Sequence, residues 1–369
     1  MNSKSIAGAT LAAAVLISLG FALASGRSAS AERYTLAPDS SVDAEALRAA
    51  IDPLFDGGDM GDTRALIVMH DGKTIAERYA SGFGPDSKLL SWSVGKSVTA
   101  VLVGLMVSDG RLALDAPAPV PAWGQPGDPR GAITLRELLT MSSGLDHREG
   151  GQPAAGADTN RMLFTDGAQD MASYAEGKPI ADRPGSSFTY STATSVILCD
   201  LMTRMLTDST DPQVRRDAMM RFVEGRLKEP VGMASLTPEF DAQGTMIGGA
   251  FMHMTARDYA RFGEFLRNKG RANGRQILSE RWVDFMTTPS RANTGYGGQI
   301  WLNREGADGI LFPGEAPASL FGAIGNQGQF VLVSPSQRLT VVRIGVATED
   351  ERKALREGMA RLVRLFPGG

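Results

Sequence analysis

A single cysteine, Cys199, rules out an internal disulfide, so the stability of this 369-residue chain has to come from packing. Histidine is nearly as scarce. His70, His147 and His253 are the only three and lie far apart, and with one cysteine no zinc-ligand spacing can be written. Neither a metal nor any other cofactor is expected. An excess of basic charge is missing too: a net charge of −3 offers no footprint for nucleic acid and suits a neutral or mildly polar substrate. There is no internal repeat, and no low-complexity tract beyond the first residues. The length fits one large two-part domain or two modest ones. Cys199 falls in an apolar helical run and reads as a small core residue.

Long apolar runs are confined to the N-terminus. There Lys4 precedes the stretch from Ile6 to Ala24, and Ala29-Ser30-Ala31 stand before Glu32. This pattern is that of a secretory signal cleaved after Ala31, which makes residues 32–369 an exported body, periplasmic or secreted. The stretch is also close to bilayer-spanning length, so an uncleaved anchor remains open as the only contact with a membrane. No cysteine lies nearby, which excludes a lipoprotein anchor.

What the sequence does have is Ser93-Val94-Gly95-Lys96 at the start of a helix that carries no charge from Ser97 to Ser108. Residues three apart share a helix face, so the Lys96 amine can reach the Ser93 hydroxyl unaided. A helix without polar flanks is buried all round. Burial disfavours an ammonium, lowers the lysine pKa and gives a serine hydroxyl its proton acceptor. Two other frames compete for the same residues. Gly95-Lys96-Ser97 imitates the end of a P-loop, but Leu90 stands where its first glycine is needed. Ser91-Trp92-Ser93-Val94-Gly95 imitates a nucleophile elbow, which would use Ser93 with His253 in an α/β-hydrolase.

Along the chain, Ala65 to His70 and Thr74 to Ala80 form a hairpin through Asp71-Gly72. A Pro/Gly-rich connection spans Ala116 to Pro129, and Thr134 with Glu137 makes a capping box for a short helix. Glu149 to Thr159 reads as a loop. Helices follow over Ser191 to Leu206, Gln213 to Leu227, Ala256 to Asn268 and Ser279 to Met286. Gln329 to Val333 and Leu339 to Gly345 form a second hairpin, and Glu349 to Leu365 is a last amphipathic helix. Strands at both ends with helices between imply an α/β (α+β) fold. An antiparallel sheet is drawn from about residues 60–85 and 295–369, with a mostly helical part inserted over about 90–290.

Three short motifs appear in order: Ser93-Val94-Gly95-Lys96, Tyr190-Ser191-Thr192 and Asn326-Gln327-Gly328-Gln329. With Ile133-Thr134-Leu135-Arg136-Glu137-Leu138-Leu139 and Met254-Thr255-Ala256-Arg257-Asp258-Tyr259, the chain resembles serine β-lactamase-like and penicillin-binding-like proteins from about residue 60 onward. The variant is similar to the class C branch, with its esterases and amide hydrolases. The resemblance implies Ser93 as acylated nucleophile, Lys96 as partner in proton transfer and Tyr190 as phenolic acid or base. A phenol near pKa 10 is a poor base at neutral pH, so the Lys96 cation is expected to lower it. The third motif is expected on a strand edge. There the Gln329 N–H joins the Ser93 N–H as oxyanion donor, and Gly328 admits the substrate.

Two positions depart from the family. Asn326 stands where Lys or His is common and supplies no charge for a substrate carboxylate; Thr192 stands where Asn is common and offers only one hydroxyl. These weigh against a β-lactam or a DD-peptide and favour a small-molecule or peptide-like ester or amide with no obligatory carboxylate at that point. They also leave room for a non-catalytic module that binds peptidoglycan-type peptides. His147, His253, Trp92 and Trp301 read as structural, and Tyr296-Gly297 as a strand opening. Neither the natural substrate nor the oligomeric state is legible.

Overall fold

The computed structural model describes residues 33–304 and 310–368, so the expected signal segment lies outside the described residues. Asp71 and Gly72 both take positive φ, 51° and 76°, which is what a tight two-residue hairpin needs. They turn β2 (Asp62–His70) back into β3 (Lys73–Tyr79). Two further strands are β1 (Arg33–Leu36), ahead of this hairpin, and β4 (Trp301–Leu302), after the helical middle. The C-terminal part adds β5 (Phe321–Gly325), β6 (Gln329–Ser334) and β7 (Leu339–Val346). All pair antiparallel in one sheet of order β1-β3-β2-β7-β6-β5-β4, so strands from the two ends of the chain meet at its centre.

Alternation of side chains divides the core in two. Along β6, Phe330 and Leu332 enter one cluster and Val331 and Val333 the other; β2 separates Leu66 and Val68 from Ala65 and Ile67 in the same way. Two helices, α1 (Ala44–Ile51) and α5 (Arg352–Arg364), share the first cluster through Leu47, Ile51, Leu355 and Met359. The second cluster is built on α2 (Val94–Ser108), α3 (Thr192–Leu206) and α4 (Ala256–Arg267). Gly263 lets α4 lie flat on the sheet, since a Cβ there would come within 2.6 Å of Thr340.

Two strands had no signal in the sequence. β1 is four residues long with half its side chains exposed, and β5 reads Phe-Gly-Ala-Ile-Gly, poor in the branched and aromatic residues that mark a strand. Of the third motif, Gln329 opens β6 as expected, but Asn326–Gly328 is corrected from a strand edge to the tight turn joining β5 to β6. Gln327 at φ 60° and Gly328 at φ 80° are left-handed and cannot join a ladder. Tyr296 makes an isolated bridge to Trp301 rather than opening a strand.

The helix α2 is buried from Val94 to Met106, and Gly110 at φ 70° ends it, with the Arg111 amide donating to the Met106 carbonyl. At Gly104 the Trp282 indole lies so close that a Cβ would fall 2.3 Å from its Nε1, which donates to the Ala100 carbonyl at 3.0 Å. Gly104→Ala is accordingly expected to cost about 1–3 kcal/mol by overpacking. A lower denaturant midpoint with unchanged slope in chemical unfolding checks this.

Candidate active site

The nucleophile candidate sits on a turn that the backbone holds under strain. Trp92, just before it, takes φ 44°, unfavourable for a residue with a large side chain. Ser91 pins this turn: its amide donates to the Met252 carbonyl at 2.8 Å, and its hydroxyl bonds the Trp92 and Ala250 carbonyls at 2.9 and 3.1 Å. Gly95 completes the close fit, since a Cβ there would lie 3.0 Å from the Gly248 carbonyl. Ser93 itself occupies the N-cap of α2 at φ −66°, yet its side chain caps nothing. The hydroxyl is left for other partners and is reached from the cleft.

Lys96 is 1 % exposed, one of the largest fully buried side chains. Its Nζ donates to Ser93 Oγ at 2.9 Å, Thr192 Oγ1 at 2.7 Å and the Gly249 carbonyl at 2.9 Å. All three ammonium hydrogens are thereby used. Gly249 allows the last contact: a Cβ on it would meet Thr192 at 2.9 Å. Burial lowers the amine to about 8, and the nearby Glu149 carboxylate works against that shift.

Sequence reasoning missed Glu149. Its Oε1 lies 4.0 Å from Lys96 Nζ. It accepts from the Thr192 amide at 2.6 Å, the Thr192 hydroxyl at 2.5 Å and the Thr159 hydroxyl at 2.6 Å. Burial pushes its carboxyl up, but the Lys96 charge and hydrogen bonds from His147, Thr159 and Thr192 outweigh this and hold it at about 2. One signal was available, because a buried ammonium calls for a counter-ion. Nothing in a glycine-rich loop said which carboxylate it would be. His147 contributes from behind, with Nε2 at 2.9 Å from Thr159 Oγ1 and 3.3 Å from Glu149. Thr192, with its single hydroxyl, both accepts from Lys96 and donates to Glu149.

Tyr190 arrives from the segment before α3 and is fixed by other rings. It stacks on Trp301 at 5.4 Å and meets Tyr296 edge-on at 5.9 Å, while Lys96 Nζ lies over its own ring at 4.8 Å. Trp301 and Tyr296 therefore position Tyr190. The expectation that Lys96 lowers its pKa is corrected. Burial and the Glu149 charge raise the phenol well above its usual value, and only its hydrogen bond with Ser93 pulls the other way. The amine stands over the ring rather than at the hydroxyl.

A cleft of about 860 Å³ opens at Ser93, with Trp92, Leu163, Phe164, Ile324 and Phe330 among its apolar walls. Tyr190, Thr192, Glu149, Asn326 and Gly328 reach it as well. The β5–β6 turn closes one side, and a Cβ on Gly325 would lie 2.6 Å from the Ser91 carbonyl. Gln329 is buried behind the turn, its side chain bonded to the Gly345 backbone at 2.7 and 3.0 Å. Although Asn326 carries no charge, its Oδ1 accepts from Arg352 Nη2 at 2.9 Å, so α5 brings a guanidinium to that spot. His253 is elsewhere. Its Nε2 lies 2.5 Å from Glu239 Oε1, and its strand segment pairs with Leu90.

The all-antiparallel sheet with the Ser93–Lys96 pair at its cleft has the architecture of β-lactamase-like proteins, and an α/β-hydrolase built on a parallel sheet is excluded. A family model described as Beta-lactamase matches residues 60–365. The chain belongs to the Beta-lactamase family. A curated 6-aminohexanoate-dimer hydrolase of Paenarthrobacter ureafaciens is 25% identical over 234 residues, 60% of this chain and 56% of that relative, so the chain spans little more than half of its length. A Bacillus anthracis structure provisionally described as a 6-aminohexanoate-dimer hydrolase aligns with TM-score 0.67 at 20% identity, over 84% of this chain and 81% of its own. A family VIII carboxylesterase aligns with TM-score 0.64 at 14% identity, over 89% of this chain and 100% of its own.

Because the Glu149 charge raises Lys96, Glu149→Gln is expected to move the amine's titration below about 8. Lysine-labelled NMR across pH 6 to 10 reads this directly, and an unmoved or rising midpoint contradicts it.

Proposed function

We propose that the protein is an exported ester or amide hydrolase that forms an acyl-enzyme on Ser93. The observation that carries this reading is the buried amine of Lys96, 2.9 Å from an uncapped serine hydroxyl that opens to the cleft. Neutral Lys96 accepts the Ser93 proton as Oγ attacks the substrate carbonyl. Tyr190, a phenol that stays protonated, donates to the departing oxygen or nitrogen as the carbonyl–leaving-group bond breaks. Water then attacks the Ser93 ester and gives its proton to the Tyr190 phenolate, while Lys96 returns its proton to Ser93 Oγ as the ester bond breaks, so the acid product leaves and both groups regain their starting states. The Gln329 N–H and Ser93 N–H remain the proposed oxyanion donors, with Gly328 giving the substrate room. Export rests on the Ile6–Ala24 stretch and Ala29-Ser30-Ala31.

The cleft supports a substrate with an apolar portion, and its far end supports an anionic group. Arg352, held between Asn326 at 2.9 Å and Glu349 at 2.8 Å, lines that end together with Lys353 and Arg356. A substrate carboxylate is therefore compatible with this chain, and the printed name of the Paenarthrobacter relative, a dimer hydrolase of an amino acid, agrees with such a group. The non-catalytic reading loses its motive, since Thr192 and Asn326 are both in contact with charged partners.

A fluorophosphonate probe is expected to add one covalent group to the folded protein, on Ser93, and none to Ser93→Ala; a folded protein that stays unmodified defeats the proposal. Ester turnover should rise with pH through about 8 as Lys96 loses its proton, and level off above. Arg352→Ala should raise KM for an ester bearing a terminal carboxylate by about tenfold while changing that for the neutral ester little. Steady-state kinetics on the two esters separates these outcomes.

A further inference from the structure

Behind the cleft lies Arg343, a guanidinium 0 % exposed on β7. Among the described residues no carboxylate comes within ion-pair distance of it. Its Nε donates to Thr63 Oγ1 at 3.0 Å, Nη1 donates to the carbonyls of Gln327 and Gly328 at 3.2 and 2.9 Å, and Nη2 is buried without a partner. A buried cation is costly unless its hydrogen bonds compensate, and most of these go to one turn. That turn is the β5–β6 connection whose Asn326 and Gly328 line the cleft beside Ser93.

Two successive carbonyls of the turn face Arg343. Gln327 O accepts from Arg343 and from the Ala347 amide at 2.9 Å, and Gly328 O from Arg343, while Asn326 O accepts from Gln329 Nε2 at 2.9 Å. In a trans peptide the N–H points opposite to the preceding C=O, so the amides of Gly328 and Gln329 turn away from Arg343. Consecutive amides facing one side of a left-handed turn form an anion-attracting nest. Gly328 has to be glycine here, because a Cβ would lie 2.9 Å from Arg343 Nη1 and 2.5 Å from Leu355.

We propose that Arg343 is a positioning residue for hydrolysis: it grips the carbonyl side of the β5–β6 turn, polarises its peptides, and so fixes the amides that stabilise the oxyanion formed at Ser93. This rests on the acyl-enzyme reading. It adds a residue that never touches substrate and that no sequence motif marks.

The test compares the parent protein with Arg343→Met and Arg343→Lys, each checked for cooperative unfolding. Two readouts are taken: ester hydrolysis, and inhibition by a phenylboronic acid, whose tetrahedral serine adduct carries the oxyanion. The expected result is a kcat lower by about ten- to a hundredfold, KM within about threefold of the parent, and boronate binding weakened in proportion to kcat. Free guanidinium should restore part of the lost kcat in Arg343→Met. If Arg343→Met does not fold, Arg343→Lys decides, because it keeps the charge and loses the forked donor. Parent-like kcat and boronate affinity in a folded variant overturn the proposal, and so does a loss expressed only in KM. A parent that accepts neither fluorophosphonate nor boronate at Ser93 instead removes the acyl-enzyme reading beneath it.

Discussion

Sequestering an amine from water is the constraint around which the cleft is arranged. Lys96 Nζ gives its three hydrogens to Ser93, Thr192 and the Gly249 carbonyl, and among the described residues only one carboxylate, Glu149, stands near enough to offset the loss of hydration. Each partner comes from a different segment, so the geometry requires α2, α3, the turn at 248–249 and the loop at 149 to converge. The glycines at 95, 248 and 249 are where that convergence is closest. A Cβ on Gly248 would lie 2.3 Å from Thr99 and 2.4 Å from Cys199. The balance between burial and Glu149 leaves the amine able to exchange its proton near neutral pH, which a freely solvated lysine does not do.

The aromatic cluster performs a separate task. Tyr190 is placed by Trp301 and Tyr296, and Tyr296 in turn packs on Phe188 at 5.2 Å. Ring packing sets the phenol without spending its hydroxyl, which remains on Ser93. In the proposed mechanism a protonated phenol and a dischargeable amine divide the acid and base roles by environment rather than by residue type.

Much of this was legible in the sequence because it rests on local rules. The charge-free run after Lys96 announced a buried helix. Asp71-Gly72 announced the first hairpin, and Thr134 with Glu137 announced a capping box that the structure contains in both halves. Cys199 is buried in α3 as its apolar neighbours suggested. What stayed hidden depends on tertiary contact. β5 is a strand because two neighbours hold it, although its own residues are glycine, alanine and only two large apolar side chains. Glu149 becomes a counter-ion only once the loop at 149 folds over Lys96. The phenol's raised pKa could not be foreseen either, since proximity of Tyr190 to Lys96 was readable but the face-on placement was not.

The join of β2 with β7 at the middle of the sheet has a temporal meaning. Its partners are residues 62–70 and 339–346, so the pairing closes a loop over most of the chain. The turn that flanks Ser93 hangs from the last two strands. A ribosome-bound chain lacking those strands carries the serine and the lysine but no finished pocket. The cleft is thereby completed only after the last strands have been made.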